Sequence, residues 1–199
     1  YSLQSVLDWN FQGRASSPVF QEFKRDWLAA VRTIRAQKSL SLDTRLWTYY
    51  PELQLVQFEA GGNKDQVKFP LDLKAKVQAA VRSADKQAKS NYQRHAVISG
   101  AAYLLRYLGD FEGARDLLIK ELRKTDTPWY YQSSLASLEK AAGRKPQALY
   151  WSGKASASAK GRASKLQWIA SDIQMTASLD PNGQIPRLQK LLREFYGLA

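Results

Sequence analysis

His95-Ala-Val-Ile-Ser-Gly-Ala-Ala-Tyr-Leu-Leu-Arg-Tyr-Leu108, then Gly109-Asp110, then Phe111-Glu-Gly-Ala-Arg-Asp-Leu-Leu-Ile-Lys-Glu-Leu122 reads as a helix, a glycine turn and a second helix. A related block follows at a fixed offset of 34 residues. It runs from Trp129 through Gly143-Arg144-Lys145 to Ala155. Gly109 matches Gly143, Ala102 matches Ala136, Leu104 matches Leu138 and Ala114 matches Ala148. Position 101 departs from the pattern, because Ala101 corresponds to Leu135. Small residues where paired helices cross let the backbones approach, and glycine ends a helix in a left-handed cap.

A helical hairpin repeating every 34 residues resembles the tetratricopeptide repeat. The expected fold is therefore all-α, a tetratricopeptide-like array of antiparallel helical hairpins forming an α-α superhelix. Residues 70–199 are assigned to this repeat domain. Residues 1–69 are assigned to an N-terminal helical segment, read as the end of an upstream domain.

Working outward, residues 17–38 carry Phe20, Phe23, Trp27, Val31 and Ile34 at steps of three and four, one helical face. Ser17 suits the N-cap and Pro18 the first helical position. Glu22 and Asp26 lie early and Arg32, Arg35 and Lys38 late, which complements the helix dipole. Upstream, Leu3, Val6, Leu7, Trp9 and Phe11 make a short apolar pattern that breaks at Gly13, Ser16 and Ser17. Between 43 and 69, Asp43 is read as the cap of a helix carrying Leu46, Tyr49, Tyr50 and Leu53, interrupted by Pro51. The alternative there is a short hairpin of Leu53, Leu55 and Phe69 around Gly61-Gly62-Asn63; helix followed by loop is preferred.

Residues 70–89 read as a helix with Leu73, Val77, Ala80, Val81, Ala84 and Ala88 inward and Lys74, Lys76, Arg82, Lys86 and Lys89 outward. A basic amphipathic stretch can meet an acidic partner or a membrane surface. Its alanine-rich apolar side lacks bulky anchors, so a solvated face is the better reading. Asp110 and Thr127-Pro128 are read as helix starts. Beyond Gly161 lies a helix with Leu166, Ile169, Ile173 and Leu179, then a turn at Pro181-Asn182-Gly183. A last helix over 184–196 follows, with Ile185, Leu188, Leu191, Leu192 and Phe195 on one side.

Composition narrows the chemistry. The 199 residues include no cysteine, which excludes thiol catalysis, disulfides and thiolate metal sites within them. His95 is the only histidine and cannot build a histidine metal cluster. No serine sits in a nucleophile motif, and Gly61-Gly62-Asn63-Lys64 lacks the spacing of a phosphate loop. Acidic pairs such as Asp110 with Glu112 lie at helix starts, where capping accounts for them. No catalytic residue, cofactor or metal site is therefore expected. No apolar run approaches the ~20 residues of a membrane span. The net charge is +12, from 30 Lys plus Arg against 18 Asp plus Glu. That balance favours anionic partners.

Binding is the expected task. The inner helix of each repeat would line a concave groove with Ser99, Tyr103, Arg106 and Tyr107 from the first block. Tyr130, Ser133, Ser137 and Lys140 would come from the second. Tyrosines with Arg106 and Lys140 suit an extended protein or peptide segment, in particular an acidic one. Trp129-Tyr130-Tyr131 cannot all face one core, so some pack between repeats and one is left for the groove. The alternative is a basic nucleic-acid-binding helical domain. It lacks a helix-turn-helix, zinc-finger or RNA-binding motif and is the weaker reading.

Four strings carry a more specific likeness: Tyr92-Gln-Arg-His-Ala-Val-Ile-Ser99, Thr127-Pro-Trp-Tyr-Tyr131, Gly143-Arg-Lys-Pro-Gln-Ala-Leu-Tyr-Trp151 and Ala163-Ser-Lys-Leu-Gln-Trp168. In order and spacing they resemble the C-terminal helical region of bacterial thioredoxin-family, thiol-disulfide interchange proteins, over about residues 70–180. The resemblance implies an upstream thioredoxin-like domain with a Cys-x-x-Cys pair, and a periplasmic location. A parent protein would then be a thiol-disulfide oxidoreductase through a domain outside these residues. The start at Tyr1 rather than Met suggests a fragment or a processed chain. No redox residue can be carried onto a chain without cysteine. The marked positive charge is not explained by the resemblance.

Overall fold

The structure is a computed structural model, and it describes residues 3–61 and 67–198. Every regular element among them is helical. The chain divides into two compact units, Tyr1–Gly109 and Asp110–Ala199. Residues 70–109, assigned from the sequence to the repeat domain, sit in the first unit together with the N-terminal segment.

The first unit holds α1 (Leu3–Phe11), α2 (Pro18–Ala36), α3 (Leu42–Trp47), α4 (Tyr49–Glu59), α5 (Leu71–Gln87) and α6 (Asn91–Tyr107). Its helices do not stack in chain order. α1 and α2 both pack on α4, and the short α3 touches α2, α4, α5 and α6. The reason lies in the aromatic side chains. Leu7, Phe11, Phe20, Leu55 and Phe58 are buried together, with Phe23, Trp27 and Leu28 against them. Phe20 meets Phe11 edge-on at 5.3 Å and Phe58 at 5.0 Å, geometries that aromatic rings favour. Trp9, part of the same short apolar pattern, instead faces solvent.

Ser17 caps α2 by accepting from the Phe20 N–H, and Pro18 opens the helix, as the sequence predicts. At α3 the cap is Ser41, whose hydroxyl accepts from the Thr44 N–H, rather than Asp43. The helix carrying Leu46 is interrupted, but at Thr48, between α3 and α4, and Pro51 itself lies inside α4. It occupies the first turn of α4, where an N–H has no intrahelical acceptor, so the missing donor costs nothing. Leu53 and Leu55 are consequently buried helical residues. Residues 62–66, the centre of the alternative hairpin, lie outside the described residues.

The second unit holds α7 (Phe111–Leu122), α8 (Pro128–Ala141), α9 (Lys145–Ser158), α10 (Arg162–Leu179) and α11 (Ile185–Leu198). Here each helix packs on its neighbours in the chain: α7 on α8, α8 on α9, α9 on α10 and α10 on α11. Short turns between successive helices make such neighbours antiparallel. Trp129, Ala155 and Ala159 form a buried cluster with Trp168 against it. Trp129 and Tyr131 are buried, while Tyr130 between them is 39% exposed, the split that three consecutive helical aromatics require.

The residues at the 34-residue offset are structurally equivalent in burial. Ala102 and Ala136, Leu104 and Leu138, Ala114 and Ala148 are all buried, and so are Ala101 and Leu135 at the position that departs in type. Gly109 and Gly143 have φ of 79° and 73°, the left-handed region that glycine enters without steric cost. At the second turn the Gly143 N–H donates to Lys140 O at 3.1 Å and the Arg144 N–H to Glu139 O at 2.9 Å. That pair of bonds is a Schellman cap. Asp110 caps α7 through the Gly113 N–H at 3.0 Å. Thr127, in contrast, makes no side-chain cap bond; its hydroxyl pairs with that of Thr125 at 3.2 Å.

Candidate functional site

The groove residues expected from the sequence lie on two helices in different units. Ser99, Tyr103, Arg106 and Tyr107 are on α6; Tyr130, Ser133, Ser137 and Lys140 are on α8. On α6 the tyrosines are engaged within their own unit. The Tyr103 hydroxyl donates to that of Tyr50 at 3.2 Å, and its ring lies 5.3 Å from Trp47. The Tyr107 hydroxyl donates to Gln57 Oε1, and its ring sits edge-on to Tyr50 at 5.2 Å. The Arg106 guanidinium lies 5.0 Å over the Tyr103 ring, a cation–π contact. On α8, Tyr130 meets Trp168 edge-on at 5.5 Å, and exposed Lys140 donates to Ser178 Oγ at 2.8 Å. Ser99, Ser133 and Ser137 are half-buried.

The tyrosine cluster has a pH signature. Burial pushes the Tyr107 phenol up to about 12, and the neighbouring Tyr103 adds to the shift. Tyr50 is also raised, first by burial and then by its hydrogen bond to Tyr103. A phenol whose folded pKa exceeds its unfolded value favours the neutral form in the folded state. Its contribution is complete below the ordinary value of about 10 and is lost as the pH rises through the folded value. The urea midpoint of the first unit is expected to hold to about pH 10 and to fall between about pH 10 and 12. A midpoint unchanged across that window would show that the cluster is not desolvated.

A concave feature of the second unit lies elsewhere, between α9 and α11. A cleft of about 640 Å³ is lined by Tyr150, Gly153, Lys154, Asp172, Arg187 and Lys190, among others. It adjoins a hollow of about 500 Å³ with Lys145, Asp180 and Gln184 in its walls, sharing Leu149, Tyr150 and Arg187. Its floor is an ion pair between a buried carboxylate and a half-buried arginine. Asp172 on α10 is 1% exposed. Arg187 Nη2 donates to Asp172 Oδ1 at 2.7 Å and to the Leu149 carbonyl at 2.8 Å. The Ser156 hydroxyl donates to Asp172 Oδ2 at 3.0 Å. Gly153 makes the crossing possible, because a Cβ there would stand 3.0 Å from Arg187 Nη2.

With Arg187 and Asp172 neutralising each other, the rim sets the charge. Lys145, Lys154 and Lys190 form no ion pair among the described residues. Tyr150 is 55% exposed, with Lys154 Nζ 5.5 Å from its ring centroid. The rim thus offers solvated ammonium groups around an exposed aromatic face. Glu194 is the acidic residue lining the same side.

A second buried carboxylate, Glu139 on α8, is fully enclosed. Arg144 Nε donates to it, and Arg115 Nε lies 3.4 Å from its other oxygen, within ion-pair range but not aligned as a hydrogen bond. Arg144 also reaches Glu112 at 2.8 Å. The Glu139 bond is the chief cause of the raised Arg144 pKa. This network ties α7 to α8 beside the Schellman turn. Among the described residues no group of three or more His, Cys, Asp or Glu side chains is placed to hold a metal ion. None of the described helices is long and apolar enough to cross a membrane.

Sequence reasoning missed the cleft. Two signals point to it. Asp172 interrupts the apolar stripe of α10 between Ile169 and Thr176, and Gly153 stands mid-helix in α9, where glycine is disfavoured without a packing reason. No family model, curated protein or solved structure matches this chain.

Proposed function

We propose that the chain is a non-catalytic helical binding module that takes an acidic protein or peptide segment in the cleft between α9 and α11. The observation that carries this reading is the cleft's rim: Lys145, Lys154 and Lys190 around the exposed ring of Tyr150, above a floor whose own charges are paired. Carboxylates meeting solvated ammonium groups give on-rate and orientation, and a partly exposed tyrosine gives contact area. The net charge of +12 supplies long-range attraction for the same class of partner.

A tetratricopeptide-like stack belongs to this reading. It is supported by the matched burial at the 34-residue offset, the left-handed glycines and the neighbour-on-neighbour packing of α7 to α11. Service as the docking tail of an exported thioredoxin-like protein, in the periplasm, rests on the four quoted strings alone.

The test uses fluorescein-labelled decaglutamate and a labelled 20-nucleotide single strand, followed by anisotropy. Replacing Tyr150, Lys154 and Lys190 together with alanine should cost about 2 kcal/mol of peptide affinity, about 30-fold. The charge-matched control Lys86→Ala/Lys89→Ala, on and beyond the exposed end of α5, should change it by less than threefold. Equal losses in the two variants would reduce the attraction to net charge and sink the cleft reading. Tighter binding of the oligonucleotide, with a steep salt dependence, would favour the nucleic-acid alternative.

A further inference from the structure

The last helix leaves one face uncovered. Leu191 and Arg187 turn α11 towards its own unit: Leu191 is buried, and Arg187 bonds to the Leu149 carbonyl on α9 and to Asp172 on α10. On the far side Ile185, Leu192 and Tyr196 are exposed large apolar side chains, with exposed Gln189 among them. At 3.6 residues per turn these four fall within about 60° of one another, so they form one strip along the helix.

Charge and spacing select the occupant. The strip itself is uncharged and offers an acidic segment no ionic contact. On α11 its margins are Leu188 and Phe195 to one side, Pro186 and Arg193 to the other. The steps from Ile185 to Gln189, Leu192 and Tyr196 are four, three and four, which read the same in either direction. Laid antiparallel on a second copy, across a two-fold axis midway between positions 190 and 191, Ile185 meets the partner's Tyr196 and Gln189 meets the partner's Leu192. Phe195 then comes beside the partner's Leu188, apolar against apolar. A surface that matches itself after a half turn is what an isologous dimer requires. The pairing leaves the α9–α11 cleft free, because Lys190 and Glu194, which line it, lie round the helix from the strip.

We infer that α11 pairs antiparallel with α11 of a second copy of this chain, through Ile185, Gln189, Leu192 and Tyr196. A strip of this length covers less than the ~800 Å² per partner of a stable complex, so the dimer is weak and dissociates at about 10–500 µM. Two copies carrying +12 each repel, and the two Arg193 side chains stand about 7–8 Å apart along the helix axes. Salt screens that repulsion, so the dimer tightens as salt rises, whereas capture of an acidic segment in the cleft loosens.

Sedimentation equilibrium of the full chain from about 10 µM to about 0.5 mM, at about 50 and about 300 mM sodium chloride, reads the association. The expected result is a monomer–dimer equilibrium about threefold tighter at the higher salt. Tyr196→Ala, at a side chain 73% exposed, and Leu192→Glu should each weaken it at least tenfold with the circular dichroism unchanged. Tyr150→Ala/Lys154→Ala, on the cleft rim, should leave it as it is. An equimolar mixture of the Gln189→Lys and Leu192→Glu variants should associate more tightly than either alone, because the antiparallel register sets the new ammonium of one copy against the new carboxylate of the other. A chain that stays monomeric to about 0.5 mM, an association that loosens with salt, or one that survives both Tyr196→Ala and Leu192→Glu contradicts the pairing. A mixture no tighter than its separate components contradicts the register. A monomeric chain that cosediments with vesicles of phosphatidylglycerol and phosphatidylcholine in equal parts, and ceases to on Tyr196→Ala, would give the strip to lipid instead. Should Leu192→Glu fail to fold, Tyr196→Ala and the salt dependence decide the matter.

Discussion

Arg187→Leu should lower the stability of the Asp110–Ala199 unit by about 3 kcal/mol. The substitution keeps most of the side-chain volume but removes the cation that faces Asp172, which is 1% exposed. It also frees the Leu149 carbonyl from its 2.8 Å bond. The Ser156 hydroxyl, 3.0 Å from Oδ2, cannot neutralise the charge left behind. The loss should therefore come mainly from a stranded carboxylate rather than from missing contacts. The double variant Asp172→Asn/Arg187→Leu isolates that term, and it should recover more than half of the loss. Urea denaturation followed by circular dichroism measures both. A loss below about 1 kcal/mol for the single variant, or no recovery in the double, would show that the pair does not hold α10 to α11.

Phe20→Ala should destabilise the first unit by about 3–5 kcal/mol. Phe20 is fully buried between Phe11 and Phe58, where α1, α2 and α4 converge. Leu7, Leu55, Phe23 and Trp27 pack in the same junction, so closing the cavity would mean pulling those contacts apart. Phe20→Leu, which keeps most of the volume, should cost about 1 kcal/mol. A small loss for alanine, equal to that for leucine, would mean that the aromatic cluster is loosely packed and that the α1–α2–α4 junction is held elsewhere.

The two predictions mark what the amino-acid sequence makes legible and what it does not. Single-helix features were readable because their causes are local. The Phe20, Phe23, Trp27, Val31 stripe, the Ser17 cap, the Asp110 cap and the glycine turns at 109 and 143 each follow from residues a few positions apart. The alternation of buried and exposed rings at Trp129-Tyr130-Tyr131 is likewise a property of one helix. Packing in the first unit was not readable, since α1 and α2 choose α4 through aromatic contacts that join residues far apart in the chain. The site suffered for the same reason. Counting along α6 and α8 picks out residues such as Tyr103 and Tyr107, but it cannot show that Trp47, Tyr50 and Gln57 claim their rings and hydroxyls. Nor can it show that Arg187 crosses Gly153 to reach Asp172 at the floor of a basic-rimmed cleft between α9 and α11.

The most direct measurement is a 1H–15N correlation titration of the 199-residue chain with decaglutamate at near-physiological salt. The amides of Tyr150, Gly153, Lys154 and Lys190 should move together and saturate, while those of the Lys74–Lys89 face stay in place. Movement confined to that α5 face, or spread evenly over every exposed lysine, would contradict a cleft built to hold an acidic segment.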